Sequence, residues 1–358
     1  MLNKWFYSVS FIIGFGIAEG QEINDSVRGK IGITGYVETY YSYDLKSSES
    51  HQKPSFIYSH HRTNEFSVNV AMLSAKYRSE RIRSDLSMAV GSYMNANYAN
   101  EEGVWKNVYE ANLGFKLMKE QDLWLDMGVL PSHIGGESAI SIYNISLTRS
   151  LSAENSPYFE TGARLSYSSK NGRLYISVLA LNGWQRIQLP NSIRNLSFGQ
   201  QIQYKPNESI LLNSSLYIGD EGNDSTRFFH DFYVQFNLNQ RLNILVNLDN
   251  GLQKQPFTDR TNVWWNTGIQ SNYLINSNIK LNGRFEYFGD DDGVIFGQFE
   301  NKGVNMYGYS GGIDFEIYKN LICRAEFRKL KPIASIKEDE NGKRRDLTSI
   351  TTSLGFQF

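Results

Sequence analysis

The chain has 358 residues and a formal charge of -1, from 36 Lys plus Arg against 37 Asp plus Glu, so it carries no electrostatic footprint for nucleic acid or an acidic membrane surface. Its single cysteine, Cys323, excludes a disulfide framework, a CxxC redox pair and a thiolate zinc cluster. Aromatic residues make up 14% of the chain and mean hydropathy is -0.42, which excludes a bundle of apolar helices but not a barrel that shows lipid only alternate residues.

The first element is a targeting segment. Lys4 precedes a mostly apolar run from Trp5 to Ala18, short for a membrane span and suited to a signal peptide. Ala18-Glu19-Gly20 offers small residues at a cleavage point, so 1–20 is predicted to be removed. Residues 21–30 are then a short periplasmic segment, too small to fold alone, and 31–358 a single barrel domain.

From Ile31 onward the apolar period is two. Ile31, Ile33, Val37 and Tyr41 fall on one face, with Thr34, Glu38 and Ser42 on the other. Phe66, Val68, Val70 and Met72 alternate with Glu65, Ser67 and Asn69. The same holds for Tyr109, Ala111, Leu113 and Phe115, for Leu123 to Val129, for Leu242 to Leu248 and for Ile279 to Tyr287. This is the dyad pattern of strands with one apolar and one polar face. Short turns at 78–81, 119–121, 169–172, 206–208, 239–241, 276–278 and 319–320 are rich in Asn, Gly, Pro and charge. Longer connections at 44–62, 97–103, 131–157, 183–195, 220–226, 251–260, 289–303 and 331–346 alternate with them. The reading is all-β: about sixteen antiparallel up-and-down strands forming a transmembrane barrel in the outer membrane, with short periplasmic turns and long extracellular loops. A soluble sandwich leaves the one-sided loop asymmetry unexplained, and no blade repeat supports a propeller.

The last strand strengthens this reading. Thr348, Ile350, Thr352, Leu354, Phe356 and Phe358 share one face, and the chain closes on Phe358. Such a terminus resembles the signal read by the barrel assembly machinery, with Phe356 and Phe358 as its residues.

With apolar faces turned to lipid, the charges on the other faces line the lumen. They include Glu38, Arg83, Asp85, Glu110, Asp126, Glu160, Arg164, Lys280, Arg284, Glu286, Asp314, Glu316, Arg324, Glu326 and Arg328. Both signs occur, so no pure cation or anion filter is indicated; the two readings are a transverse field across a pore and a hydrated interior whose charges satisfy one another, the second favoured for any single residue. A barrel of this strand number leaves an aqueous channel unless a loop fills it. The longest connection, 131–157, carries Gly135, Gly136, Glu137 and Arg149 together with exposed apolar residues such as Ile140, Ile142 and Ile145 that need cover. It is expected to fold inward as a constriction.

Gly35 to Tyr43, together with Leu130 to Ser138, Leu147 to Ser150 and Ser156 to Gly162, resembles the OmpL-like barrel family known as beta-barrel porin-2. The resemblance implies an outer-membrane barrel with a pore role and supplies no catalytic residues. The functional expectation is passive diffusion of small hydrophilic solutes. The alternative is a non-conducting barrel that serves as a surface binding or structural protein. Partners are then outer-membrane lipid, the assembly machinery, the solutes and further copies of the chain, since sixteen-stranded porins are often trimers.

Other chemistry is not indicated. His51, His60, His61, His133 and His230 read as surface loop residues, and neighbours such as His60 and His61 point oppositely in a strand, so no metal or other cofactor is expected. Gly289-Asp290-Asp291-Asp292-Gly293 lacks spaced calcium ligands and reads as a solvated loop tip. No GxSxG, phosphate loop or dinucleotide fingerprint occurs, so no enzyme is expected.

Overall fold

The computed structural model describes residues 29–45, 50–297, 303–333 and 346–358. The predicted export segment and most of 21–30 lie outside these residues. Sixteen strands follow one another around a closed barrel. They are β1 (Lys30–Asp44), β2 (Phe66–Arg78), β3 (Ile82–Val90), β4 (Val108–Lys116), β5 (Asp122–Pro131), β6 (Phe159–Ser168), β7 (Leu174–Leu181) and β8 (Ser197–Asn207). The second half is β9 (Ile210–Asp220), β10 (Thr226–Asn237), β11 (Leu242–Lys254), β12 (Thr261–Asn276), β13 (Ile279–Gly289), β14 (Met306–Tyr318), β15 (Leu321–Pro332) and β16 (Leu347–Gln357). Every neighbouring pair is antiparallel, so each long connection falls on one rim and each short turn on the other.

Closure is physical necessity in lipid, where an open sheet edge would leave backbone groups without partners. β1 pairs with β16 from Tyr36 opposite Gln357 to Asp44 opposite Ser349. The last residue completes the seam: Gly35 N donates to Phe358 O at 2.8 Å and Phe358 N to Gly35 O at 3.0 Å. A Cβ on Gly35 would lie 2.2 Å from the Phe358 ring, so glycine there leaves the ring its place. Phe356 and Phe358 stack on the outer wall with centroids 5.8 Å apart.

Ile31, Ile33 and Val37 on β1, Leu113 and Phe115 on β4, and Leu281 and Phe285 on β13 stand exposed on the outer wall, where lipid covers them. Two predicted faces are corrected locally. β2 shifts register opposite Glu38 and Thr39, pairing Val70 and then Val68 while Asn69 bulges. The bulge turns Val70 and Met72 inward against an aromatic cluster and turns Leu73 outward. A second shift, between Ser87 and Met88, leaves Tyr109 unpaired and buried with the same cluster. Glu65 is also misplaced by sequence: it precedes β2 and pairs with Arg62 at 2.6 Å in the first loop.

Two short helices sit in the loops, α1 (Ser92–Asn97) and α2 (Leu151–Glu154). Loop residues pack over the extracellular end. Phe56, Ile57, Phe296 and Val304 join Tyr217, Phe229, Trp264 and Phe288 from the upper strands in one apolar cluster. The acidic run after β13 is not a solvated tip throughout. Asp290 is fully buried, and its carboxylate accepts the backbone N–H groups of Val294, Ile295 and Phe296 at 2.8 to 2.9 Å.

The facing is testable on β11, where Val246 lies between Val234 and Ile269 on the outer wall. Val246→Arg is expected to cost about 2–4 kcal/mol if the residue sits at the bilayer midplane. Unfolding titrations of wild type and variant in lipid vesicles measure it, and equal midpoints would reverse the assignment.

Candidate functional site

The third loop, 132–158, lies inside the barrel and crosses from the β5–β6 wall to the β11–β16 wall. Its root is clamped first. His133 Nδ1 bonds Glu160 Oε2 at 2.7 Å, its Nε2 bonds Leu216 O at 2.8 Å, and the Ser215 hydroxyl donates to His133 O at 2.6 Å. A Cβ on Gly199 would lie 2.7 Å from the imidazole, so that glycine admits the ring. His133 is therefore buried, at 2% exposure, and not a surface histidine. Burial opposes a charged ring, but the Glu160 carboxylate and the two hydrogen bonds outweigh it and hold His133 above the ordinary histidine range.

Beyond the root, polar residues of the loop meet inward charges one by one. Ser138 N donates to Asn144 Oδ1 and Asn144 Nδ2 to Ser138 O, both at 2.7 Å, closing a small turn. The Ser141 hydroxyl donates to Glu38 at 2.5 Å. Arg324 reaches the carbonyl oxygens of Ser141, Asn144, Ile145 and Ser146, while its other edge holds Asp314 at 2.8 and 2.9 Å. Thr148 donates its N–H and hydroxyl to Glu326 at 2.8 and 2.7 Å. Arg284 then bonds Thr148 O at 2.6 Å and Glu326 at 2.9 Å.

The far end repeats the pattern. Ser150 caps α2 by accepting from Ala153 N at 3.2 Å. Glu137 accepts Ser150 N at 3.0 Å, also accepts the Ser150 hydroxyl, and takes Gln270 Nε2 at 2.7 Å. Glu286 accepts Leu151 N at 2.6 Å and holds Arg328 at 2.7 Å. The Ser152 hydroxyl donates to Asp249. Glu154 ties the crosspiece to the first loop by accepting the N–H groups of Tyr58 and Ser59 at 3.0 and 3.2 Å. Arg149 donates to Tyr93 OH at 2.9 Å and lies over the Tyr158 ring at 5.3 Å.

Glu38, Glu160, Arg284, Glu286, Asp314, Arg324, Glu326 and Arg328 all face inward and all are buried. Most hold the crosspiece, and the remainder pair with residues that do. Asp126 is buried too, between Arg83 at 2.6 Å and Arg164 at 3.3 Å. Arg83, Asp85, Glu110, Arg164 and Lys280 are half-exposed on the inner face, and Glu316 is exposed near a short turn. Arg83, Asp85, Lys280 and Glu316 lie on the periplasmic side of the crosspiece, close to the turns at 79–81, 277–278 and 319–320. The expected constriction residues divide: Glu137 and Arg149 make the bonds above, and Gly136 lies against Tyr233 and Leu245, with room that a Cβ would fill at 3.5 Å. Gly135 takes a positive φ of 85° where the chain bends inward.

Sequence missed the hydroxyl ladder of Ser141, Thr148, Ser150 and Ser152. Thr148, Ser150 and Ser152 alternate as in a strand but Ser141 stands apart and the segment carries no apolar face in register with them, so only their partners across the bore mark them. His60 was also misread: it is buried, 3.3 Å from Glu38, with its ring edge-on to Tyr40. His230 is not in a loop but on the outward face of β10. Among the described residues, no cluster of His, Cys, Asp and Glu is arranged to hold a metal.

A closed sixteen-stranded barrel crossed by an internal loop is the architecture of outer-membrane porins, and the protein is a multi-pass outer-membrane β-barrel. The chain belongs to the family described as Putative beta-barrel porin-2, OmpL-like, whose model matches residues 30–358. The outer-membrane channel DcaP of Acinetobacter baumannii superposes with a TM-score of 0.62 at 9% identity, over 92% of this chain and 98% of that one. An anion-selective porin from Comamonas acidovorans gives 0.62 at 9% identity, over 92% and 100%. OmpT of Vibrio cholerae in its trimer form gives 0.61 at 9%, over 92% and 100%. At this identity the likeness is one of fold. No curated protein matches the chain in sequence.

Two tests follow from the bonding. Arg324→Met leaves Asp314 buried without its partner and releases the loop carbonyls, so barrel stability should fall by about 3–5 kcal/mol, and Arg324→Lys should not restore it. Hydrogen exchange across 141–148 should quicken in both variants; unchanged exchange would mean that Arg324 does not hold the loop. His133 adds a pH dependence. Its stabilisation is fully present below the ordinary histidine pKa of about 6.5 and is lost as pH rises through its raised value. Exchange at 132–136 should therefore quicken with rising pH in wild type, beyond the chemical rate, and His133→Gln should flatten that excess.

Proposed function

We propose that the protein is a non-enzymatic, passive diffusion channel for small hydrophilic solutes. The carrying observation is the third loop, which enters the bore and is bonded to both walls through charged side chains whose remaining donors and acceptors it fills. Solutes would pass the crosspiece by size and then meet Arg83, Asp85, Glu110, Arg164 and Lys280, whose mixed signs would set a transverse field. Single-channel recording of the refolded barrel in a planar bilayer tests this. Discrete steps that enlarge when 137–150 is deleted are expected. Silence from both proteins, with heat-modifiable barrel migration intact on a gel, would sink the channel reading.

That silent outcome would favour a second reading, a non-conducting surface barrel. The observation behind it is the density of the packing. Aromatic loop residues cover the extracellular end, and the crosspiece charges have almost no exposed surface.

We also propose that the barrel self-associates through the outer wall of β8–β11. Gln200, Leu216, His230 and Asn250 lie opposite one another across these strands, and the Ser214 hydroxyl is hydrogen-bonded to His230 Nε2 at 2.9 Å. Phe228 above and Phe232 below place the row inside the apolar band. Lipid offers such groups no hydrogen-bond partners, whereas another copy would. The description of the Vibrio OmpT as a trimer form fits a barrel of this shape in that role. His230→Leu combined with Asn250→Leu should lower the oligomer fraction in crosslinking of detergent-extracted membranes. An unchanged fraction would move the contact to another wall.

A further inference from the structure

The inner wall is not charged all round. Arg83, Asp85, Glu110 and Arg164 stand on β3, β4 and β6. Across the bore, β9 to β12 carry no inward charge between the crosspiece and the short turns. Asparagine takes that place. Asn237 lies opposite Asn243, Asn243 opposite Asn272, and Asn272 opposite Asn282. Four neighbouring strands, β10 to β13, therefore carry one amide each in a single register row.

The row is only partly satisfied from within. Asn243 Nδ2 donates to Asn272 Oδ1 at 2.9 Å, and Gln235 Nε2 donates to Asn237 Oδ1 at 3.4 Å. Asn282 Nδ2 closes the far end by donating to Asp314 Oδ1 at 3.2 Å. Among the described residues, Asn237 Nδ2, Asn243 Oδ1 and Asn272 Nδ2 are left without partners. All three side chains are half-buried, and none of these atoms is sealed from solvent. Along the row the free groups run donor, acceptor, donor.

That order selects a class of solute. A carboxylate only accepts hydrogen bonds and an ammonium only donates them, whereas a hydroxyl does both. Alternating free donors and acceptors match a solute that carries several hydroxyls. Adjacent strands lie about 4.8 Å apart, close to the separation of alternate hydroxyls on a pyranose ring. A wall without charge also gathers no counter-ions that a neutral solute would have to displace.

We propose that the asparagine row is a binding track for neutral sugars and polyols on the periplasmic side of the crosspiece. Solute hydroxyls donate to Asn243 Oδ1 and accept from Asn237 Nδ2 and Asn272 Nδ2. This deepens the channel reading and rests on it for passage, but binding at the row does not require conduction.

The test therefore reads binding and passage separately. Saturation-transfer NMR is run on the refolded barrel in dodecylphosphocholine micelles, which contain no sugar, with glucose as the probe. Transfer to glucose is expected in wild type. The affinity from a glucose titration should fall about tenfold in the double variant Asn243→Leu, Asn272→Leu, as the loss of two hydrogen bonds implies. No transfer in wild type, or equal affinity in both proteins, would overturn the proposal. Should the double variant fail to refold, the single variants Asn243→Ala and Asn272→Ala decide by the same comparison, since lumen substitutions are mild for a barrel. In planar bilayers, glucose should reduce the wild-type current more than that of the variant. A silent barrel that still shows variant-sensitive transfer would sink the channel reading and leave the sugar site standing.

Discussion

A sheet in hydrocarbon has no water to satisfy its edges, and that constraint governs the rest of this molecule. Sixteen strands close, and the last residue bonds the first strand at Gly35. Closure turns the polar face of every strand toward one interior. The interior must then supply partners for Glu38, Glu160, Arg284, Glu286, Arg324 and Glu326, each of which is buried. The third loop meets most of that demand with backbone groups and hydroxyls rather than with opposite charges alone.

This choice of partner matters energetically. A buried carboxylate bonded to one guanidinium still has unused acceptor positions, and desolvation then outweighs attraction. Glu326 is satisfied by Arg284 together with both donors of Thr148. Arg324 divides its donors between Asp314 and loop carbonyls. The crosspiece and the charged wall therefore stabilise each other, and neither is expected to keep its geometry alone.

Much of the molecule was legible in the chain. The alternation of long and short connections indicated the strand number and the two rims, because a period of two is preserved wherever one face meets lipid. It failed locally at Val70, Met72 and Tyr109. There a bulge inserts a residue and exchanges the faces, and period counting cannot detect a bulge that the partner strand creates. The inward charges were also legible, since charge cannot face hydrocarbon. Their roles were not.

What the sequence determined by itself is therefore the class of object: an all-β barrel, its approximate strand boundaries, and which residues turn from lipid. These are one-dimensional properties, set by the spacing of apolar side chains along each strand. Tertiary structure alone decided that His60 and His133 are buried and that Ser141, Thr148 and Ser152 anchor the crosspiece. Each of those facts joins residues that are distant in the chain. Ser141 and Glu38, and Thr148 and Glu326, meet only after the sheet has closed and the loop has crossed it, so no local pattern in the chain could encode them.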